Sequence, residues 1–139
     1  MNLSKNFTLE EMTHTDTDLP NIPTAEEIEK LRWLAENILQ PIRDALGPVK
    51  VNSAFRSESV NKAVGGVPNS QHRLAEAADI NPLQATFEEA FEWIRHNINF
   101  GQLIIEHKAS ARWIHVSRPR IGKPNMQCLR YENGVYSVV

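Results

Sequence analysis

The order of helix and strand signals along the chain is the feature that most limits the folds open to it. A threonine followed three residues later by a glutamate occurs at Thr8 with Glu11, at Thr24 with Glu27, and at Thr86 with Glu89. In this capping-box pattern each side chain satisfies a backbone N–H group that the first helical turn leaves free. Each pair therefore predicts the beginning of a helix.

The longest helical pattern follows Thr24. Its apolar residues recur at intervals typical of a helix and form one stripe, which consists of Ile28, Leu31, Ala35, Ile38, Leu39, Ile42 and Leu46. Pro41 lies inside the pattern and, because proline has no backbone N–H, should kink this helix or split it in two. Gly47 and Pro48 then end it. The shorter helix after Thr86 is predicted to have an inner face made of Phe87, Ala90, Phe91 and Ile94.

Strand signals dominate the rest of the chain. Apolar segments of strand length predict strands at 49–55, 77–81, 102–105 and 113–117. Residues 126–139 predict a hairpin around Asn133-Gly134, a dipeptide favoured by type I′ turns. Helices early, strands late and no regular alternation of the two predict an α+β fold, with a mainly antiparallel sheet and helices packed on it. A chain of 139 residues fits one domain, 1–139.

Charge and composition argue against several classes of function. A net charge of −2 and a pI near 6.2 provide no broad basic surface, so we expect no nucleic-acid partner. No apolar run approaches the ~20 residues that span a bilayer, so we expect no membrane partner either. Residues 1–7 lack the blocks of a signal peptide, and we expect the chain to be cytoplasmic as synthesised. The single cysteine, Cys128, excludes an internal disulfide and is interpreted as a buried structural thiol.

The most informative segment for chemistry is 70–79, which contains His72 and Asp79. The histidine would lie on a loop and the aspartate on the strand that follows, so both can point into one cleft. Imidazole and carboxylate groups are good zinc ligands. Taken alone, however, this spacing is also that of ordinary surface residues on a loop.

A second segment supplies a third potential ligand. Alternation along the predicted strand 113–117 places Ile114 and Val116 on one face and His115 on the other, polar face. Two histidines and an aspartate would leave a fourth coordination position open, which distinguishes catalytic zinc from the four-ligand structural kind. For His115 alone, the competing interpretation is a half-buried histidine bonded to a carbonyl group.

Two further residues are candidates for the reaction itself. Glu106 ends the predicted strand 102–105 and could act as the general base that takes a proton from water and passes it to the leaving amine. Arg56 follows the first strand and could pair with a substrate carboxylate or stabilise an oxyanion. The competing interpretations are a solvated glutamate and a surface salt bridge.

The motifs that carry these residues resemble those of a known family. They are Ser53-Ala54-Phe55-Arg56-Ser57, Asn61, Gly65-Gly66, Ser70-Gln71-His72, Ala77-Ala78-Asp79 and Trp113-Ile114-His115. In this order they resemble the D-Ala-D-Ala carboxypeptidase-like zinc peptidases, which include phage endolysins and share a fold with the hedgehog signalling domain. The resemblance extends from Asn6 to about Ser117 and leaves the C-terminal hairpin, about 126–139, outside it.

The resemblance implies a site residue by residue. It implies one Zn²⁺ per chain, bound by His72, Asp79 and His115, and a substrate-side arginine at Arg56. Within the same motifs it implies four further residues that bind substrate: Ser53, Ser70, Gln71 and Trp113. Two positions depart from the family pattern. Ala75 stands where glycine is usual, and Arg112 stands where several relatives have the catalytic acid, so that Glu106 is expected to take that role.

The family's substrates are the stem peptides of peptidoglycan. The resemblance therefore implies a monomeric, zinc-dependent enzyme that hydrolyses an amide bond in these peptides, as a D-Ala-D-Ala carboxypeptidase or as an endopeptidase. Such an enzyme would act on the cell wall after phage-type release, or in the cytoplasm on wall fragments. The alternative, motivated by Ala75 and Arg112, is an inactive module of the same fold that binds metal or cell wall.

Overall fold

A six-stranded sheet organises the protein, whose residues 1–139 are all described by a computed structural model. The strands are β1 (Val49–Ser53), β2 (Ala77–Pro82), β3 (Gln102–Lys108), β4 (Ala111–Ser117), β5 (Gln127–Glu132) and β6 (Val135–Val138). Their order across the sheet is β1-β2-β4-β3-β5-β6, and every pair is antiparallel except β3 with β5. The predicted α+β fold with a mainly antiparallel sheet is confirmed.

The five helices are α1 (Leu9–Met12), α2 (Ala25–Leu34), α3 (Gln40–Leu46), α4 (Glu58–Ala63) and α5 (Phe87–Asn97). Three of them, α1, α2 and α5, begin where the capping boxes predict. Thr8, Thr24 and Thr86 each form the complete reciprocal capping box with the glutamate three residues later. No helix is both long enough and apolar enough to cross a membrane.

Pro41 changes the helix in a way that the sequence pattern did not specify. A π-helical segment, Ala35–Leu39, joins α2 to α3 without a break. The N–H group of Gln40 donates to the carbonyl of Ala35, five residues back. Because the ring of Pro41 would meet the carbonyl of Asn37 in a regular α-helix, the wider π turn lets the helix continue past it.

The two faces of the sheet differ sharply in character. One face packs against the helices. Its buried members include Ala78, Ile80, Leu103, Ile105, Ile114 and Val116, which share one hydrophobic cluster with Leu31, Ile38, Phe91 and Ile94 of the helices. On the other face Asp79, His115 and Ile104 lie directly opposite one another on β2, β4 and β3. Asp79 and His115 thus lie on the face opposite the one that packs against this core.

Several strand boundaries differ from the predicted ones. β1 ends at Ser53, and Phe55 leaves the sheet to donate its N–H to the carbonyl of Met12. β3 continues to Lys108, so that Glu106 lies inside the strand and not at its end. The strand was underestimated because the apolar signal stops at Ile105, although hydrogen bonding to β4 continues. Cys128 lies on a strand as expected, but it is half-buried against the core and not fully enclosed.

The C-terminal hairpin is confirmed, with β5 and β6 joined at Asn133 and Gly134. Both residues have positive φ, 46° and 94°, as a type I′ turn requires. What the sequence did not indicate is that β5 pairs in parallel with β3, which attaches the hairpin to the edge of the sheet.

The tight turn between β3 and β4 provides a test of backbone strain. Its two residues are Ala109 and Ser110, both exposed, and Ala109 has φ of 54°. Because a Cβ atom is strained in this left-handed region, Ala109→Gly should raise the free energy of unfolding by about 0.5–1 kcal/mol. Urea denaturation measures the change. Ser110→Gly is the matched control, and it should be neutral or destabilising; an equal gain from both would contradict the interpretation.

Candidate metal centre

Three potential metal ligands meet on the open face of the sheet. Asp79 of β2 and His115 of β4 lie opposite each other in register, and His72 reaches them from the loop before β2. The Nε2 atom of His72 is 3.2 Å from Asp79 Oδ2, and Nδ1 of His115 is 3.0 Å from Asp79 Oδ1. One ligand atom from each residue lies within 4.8 Å of the other two. This spacing suits a single metal ion.

A backbone carbonyl determines which nitrogen of His72 faces the cluster. Nδ1 lies 2.8 Å from the carbonyl oxygen of Ala54, which can only accept a hydrogen bond. Nδ1 therefore carries the proton, and the lone pair of Nε2 points at Asp79. A histidine ligand is commonly oriented in this way, with its second nitrogen donating to a carbonyl group.

His115 is held between two acceptors. Its Nε2 lies 2.6 Å from Gln71 Oε1 and its Nδ1 faces Asp79. Since neutral imidazole has one N–H, donation to Gln71 leaves the Nδ1 lone pair directed at the carboxylate. Both histidines then direct lone pairs towards the oxygens of Asp79. A cation between these three groups would satisfy all of them, so the donor set fits a divalent metal such as zinc.

The charge on Asp79 follows from its surroundings. Burial alone would raise the pKa of this carboxyl group. When the imidazoles also carry protons on the nitrogens that face it, the charge of His72 and hydrogen bonds from His115 and His72 hold the pKa well below its usual range. The histidines themselves are 5% and 8% exposed. Asp79 is therefore available as an anionic ligand at neutral pH.

The loop that carries His72 contains the first departure from the family pattern. Ala75 has φ of 59° and is fully buried. It adopts the backbone conformation that glycine takes most easily. The N–H of Ala75 donates to the carbonyl of His72, and that of Glu76 donates to Gln71. The loop is thus closed by hydrogen bonds with alanine in the position of glycine.

A cleft surrounds the three donors. Five other residues singled out from the sequence line it: Arg56, Ser70, Gln71, Glu106 and Trp113. Ser53 lies in an adjoining recess, which shares Arg56 and Asp79 with the cleft and has residues 14–17 as its far wall. The structure thus brings the candidate residues together, while their individual roles stay predictions.

Glu106 is oriented by its neighbour across the sheet. Trp113 lies opposite it in register and donates its indole N–H to Oε2 at 2.9 Å. Burial raises the pKa of Glu106, and the negative charge of Asp79 raises it further, against smaller opposing effects of His115 and Trp113. A carboxyl group with a raised pKa is better suited to exchange protons near neutral pH.

Arg56 has unused hydrogen-bonding capacity. Its Nη2 donates weakly to Ser70 Oγ at 3.4 Å, while its buried Nε has no partner. No carboxylate lies within ion-pair distance of it, so it does not form the surface salt bridge considered as the alternative. Burial lowers the pKa of the guanidinium, and the charge of Asp79 partly offsets this.

The second departure from the family pattern, Arg112, does not reach the cleft. Its guanidinium lies over the ring of Phe87 at 4.7 Å and 3.6 Å from Glu88 Oε1, both on α5. His107, paired with Arg112 in register, belongs to the same face of the sheet. Glu106 is therefore the carboxylate of the cleft that is expected to replace the acid found in several relatives at the position of Arg112.

Sequence reasoning missed three residues that line the cleft: Gln102, Ile104 and Tyr136. Gln102 and Ile104 could have been found, because they share the strand parity of Glu106 and so point to the same face. Tyr136 could not, because its position depends on the parallel pairing of β5 with β3 after a connection of irregular structure.

Comparison with known proteins agrees with this geometry. The model of the peptidase M15 family matches residues 5–117, most of the chain. The chain is also similar to the zinc D-Ala-D-Ala carboxypeptidase of Streptomyces albus G, with 48% identity over 44 residues. That alignment covers 30% of this chain and 17% of the relative, so the two are similar over a small part of the relative's length. The extent of the family match shows that the chain belongs to the peptidase M15 family.

Proposed function

We propose that the protein is a zinc-dependent peptidase that hydrolyses an amide bond in peptidoglycan stem peptides. The observation that carries this proposal is the convergence of His72, Asp79 and His115, whose donor atoms face one point beside Glu106 and Arg56. Family membership supports peptide hydrolysis. The name of the Streptomyces relative supports zinc and a D-Ala-D-Ala substrate.

The three donors would hold the zinc ion through Nε2 of His72, Nδ1 of His115 and the carboxylate of Asp79. When bound, zinc supplies a Lewis acid that polarises a carbonyl oxygen and brings the pKa of water towards neutrality. Gln71 and the carbonyl of Ala54 hold the two imidazole rings in the required orientation. The protein thereby prepares the donors before a metal arrives.

Glu106 is the group that moves protons in this proposal. Trp113 occupies its Oε2, which leaves Oε1 to accept a proton from the attacking water. Its raised pKa favours keeping that proton until the leaving amine takes it. Arg56, with an unpaired Nε, binds either the substrate carboxylate or the developing oxyanion.

The finer assignments belong to the same proposal. Cleavage at a terminal D-Ala and cleavage inside the stem peptide are both compatible with the cleft, and release by phage-type lysis would bring the enzyme to the wall. An inactive module is not favoured. Ala75 keeps the glycine-like conformation of the loop, and Arg112 lies on the opposite face, so neither departure obstructs the cleft.

The metal proposal is tested by zinc content. After reconstitution and dialysis, we expect about one zinc per chain, as for a three-ligand catalytic site, measured by inductively coupled plasma mass spectrometry. The His72→Ala variant should lose most of the zinc, because only two of the three donors remain. His107→Ala, on the other face of β3, is the control and should keep it. Wild-type protein that retains no zinc would overturn the proposal.

The reaction is tested by digesting purified peptidoglycan and identifying new termini by mass spectrometry. Glu106→Gln should retain zinc but lose at least ~100-fold in rate, the usual contribution of a general base. Glu132→Gln, an exposed glutamate on β5, should behave like wild type. Near-normal turnover of the Glu106→Gln variant would mean that another residue is the general base. Wild-type protein loaded with zinc that cleaves no type of stem peptide would favour the inactive module.

The role of Arg56 separates activity from stability. Arg56→Ala should lower kcat/KM by about 100-fold, in the range for loss of one oxyanion donor. It should change the melting temperature little, since the side chain makes one long hydrogen bond and no ion pair. Arg43→Ala, a helix residue outside the cleft, is the control. An Arg56→Ala variant that is less stable but fully active would show that Arg56 has a structural role.

A further inference from the structure

The C-terminal hairpin places an aromatic side chain in the cleft. Tyr136 of β6 lines the same cleft as Asp79, His115 and Glu106, although it lies outside residues 5–117, which match the family. The residue is 57% exposed. Its hydroxyl makes no hydrogen bond with the protein. The residue therefore has both its ring and its hydroxyl available to a ligand.

The register of four strands places Tyr136 in line with the catalytic candidates. Trp113 pairs with Glu106, Glu106 with Tyr131, and Tyr131 with Tyr136, on β4, β3, β5 and β6 in turn. Directly opposite residues point to the same face of a sheet. A row of side chains thus runs from Trp113, two residues before His115 on β4, to the edge of the sheet, and Glu106 is its single charged member.

Tyr131 holds the ring of Tyr136 in one orientation. The two rings meet edge to face, with centroids 4.8 Å apart and an interplanar angle of 77°. Such a pair is favourable and restricts the freedom of the exposed ring. Burial raises the pKa of Tyr136, and the negative charge of Glu106 raises it further. The effect of Glu106 agrees with the closeness of the two groups.

We propose that Tyr136 is a substrate-binding residue, which packs against the stem peptide on the N-terminal side of the scissile bond. This inference rests on the proposed function and adds the hairpin to the substrate-binding surface. The direction follows from the order of the strands together with the first of the two roles proposed for Arg56, binding of the substrate carboxylate, which marks the C-terminal side of the substrate. Arg56, the anion-binding candidate, follows β1 at one edge, Tyr136 is on β6 at the other, and the donors lie between them.

The distance from the donors indicates which part of the substrate Tyr136 contacts. β6 is three strand positions from β4, or ~14 Å at the usual spacing between strands. An extended peptide covers this in about four residues, and the length of the tyrosine side chain reduces the number to roughly two to four. A substrate that has only one residue on the N-terminal side of the scissile bond cannot reach the ring. The row disfavours an acidic segment of the substrate, because it contains no cation and Glu106 is its single charged member.

Two synthetic substrates test the inference once wild-type protein has identified the bond that is cut in peptidoglycan. The short peptide has one residue before that bond, and the long peptide has four. Tyr136→Ala should lower kcat/KM about tenfold on the long peptide, chiefly through KM, and less than about twofold on the short one. Tyr136→Phe should stay near wild type on both, because the ring makes the contact.

Val135→Ala is the matched control, since Val135 is the preceding residue of β6, is 68% exposed and points to the opposite face. It should leave both peptides unaffected. Equal losses on short and long peptides, no loss on the long one, or a Tyr136→Phe variant as poor as Tyr136→Ala would each overturn the inference. Failure of wild-type, zinc-loaded protein to cleave peptidoglycan would instead overturn the proposed function. If the short peptide is not cleaved at all, the inference is decided by comparing kcat/KM of Tyr136→Ala with that of Val135→Ala on the long peptide.

Discussion

The pairing of β2 with β4 is the constraint on which the metal centre depends. Asp79 faces His115 because Ile80 faces Ile114 in the next position, where both side chains are buried against the helices. A slip of one residue would turn the carboxylate into the apolar core and the isoleucine into the cleft. Burying an unpaired charge is costly, so the hydrophobic core enforces the register that creates the site. The stability of the fold and the geometry of the site are therefore coupled through two adjacent pairs of side chains, Asp79 with His115 and Ile80 with Ile114.

The third ligand depends on a loop, and the loop is tied to the substrate side of the cleft. His72 donates to the carbonyl of Ala54, while the backbone N–H of Arg56 donates to the carbonyl of His72. These two hydrogen bonds cross between the same segments in opposite directions. The candidate metal ligand and the anion-binding candidate consequently share one hydrogen-bonded support. A change in the loop, for instance at Ala75 with its positive φ, would be transmitted to both.

Local signals predicted much of this arrangement, and pairing between strands accounts for most of what they missed. The capping box at Thr24 and the turn at Asn133 are properties of four neighbouring residues, so the sequence reveals them directly. Alternation also placed His115 on the polar face. The π turn before Pro41 is a local response to the proline ring that the apolar pattern does not specify. The full length of β3 depends on its pairing with β4, and the position of Tyr136 depends on the parallel pairing of β5 with β3. No short pattern records such partners, because their pairing is decided by packing.

The two carboxylates of the cleft have opposite pKa shifts, and this difference supports the roles proposed for them. Asp79 faces two imidazoles, which stabilise its charge and suit it to bind a cation. Glu106 is buried beside the charge of Asp79, which disfavours a second anion and suits it to hold a proton. A cation bound by the three donors would neutralise the charge of Asp79 as felt by Glu106. The pKa of Glu106 would then fall towards the value set by burial and by Trp113, so that this proposed base would be deprotonated more readily with a metal bound.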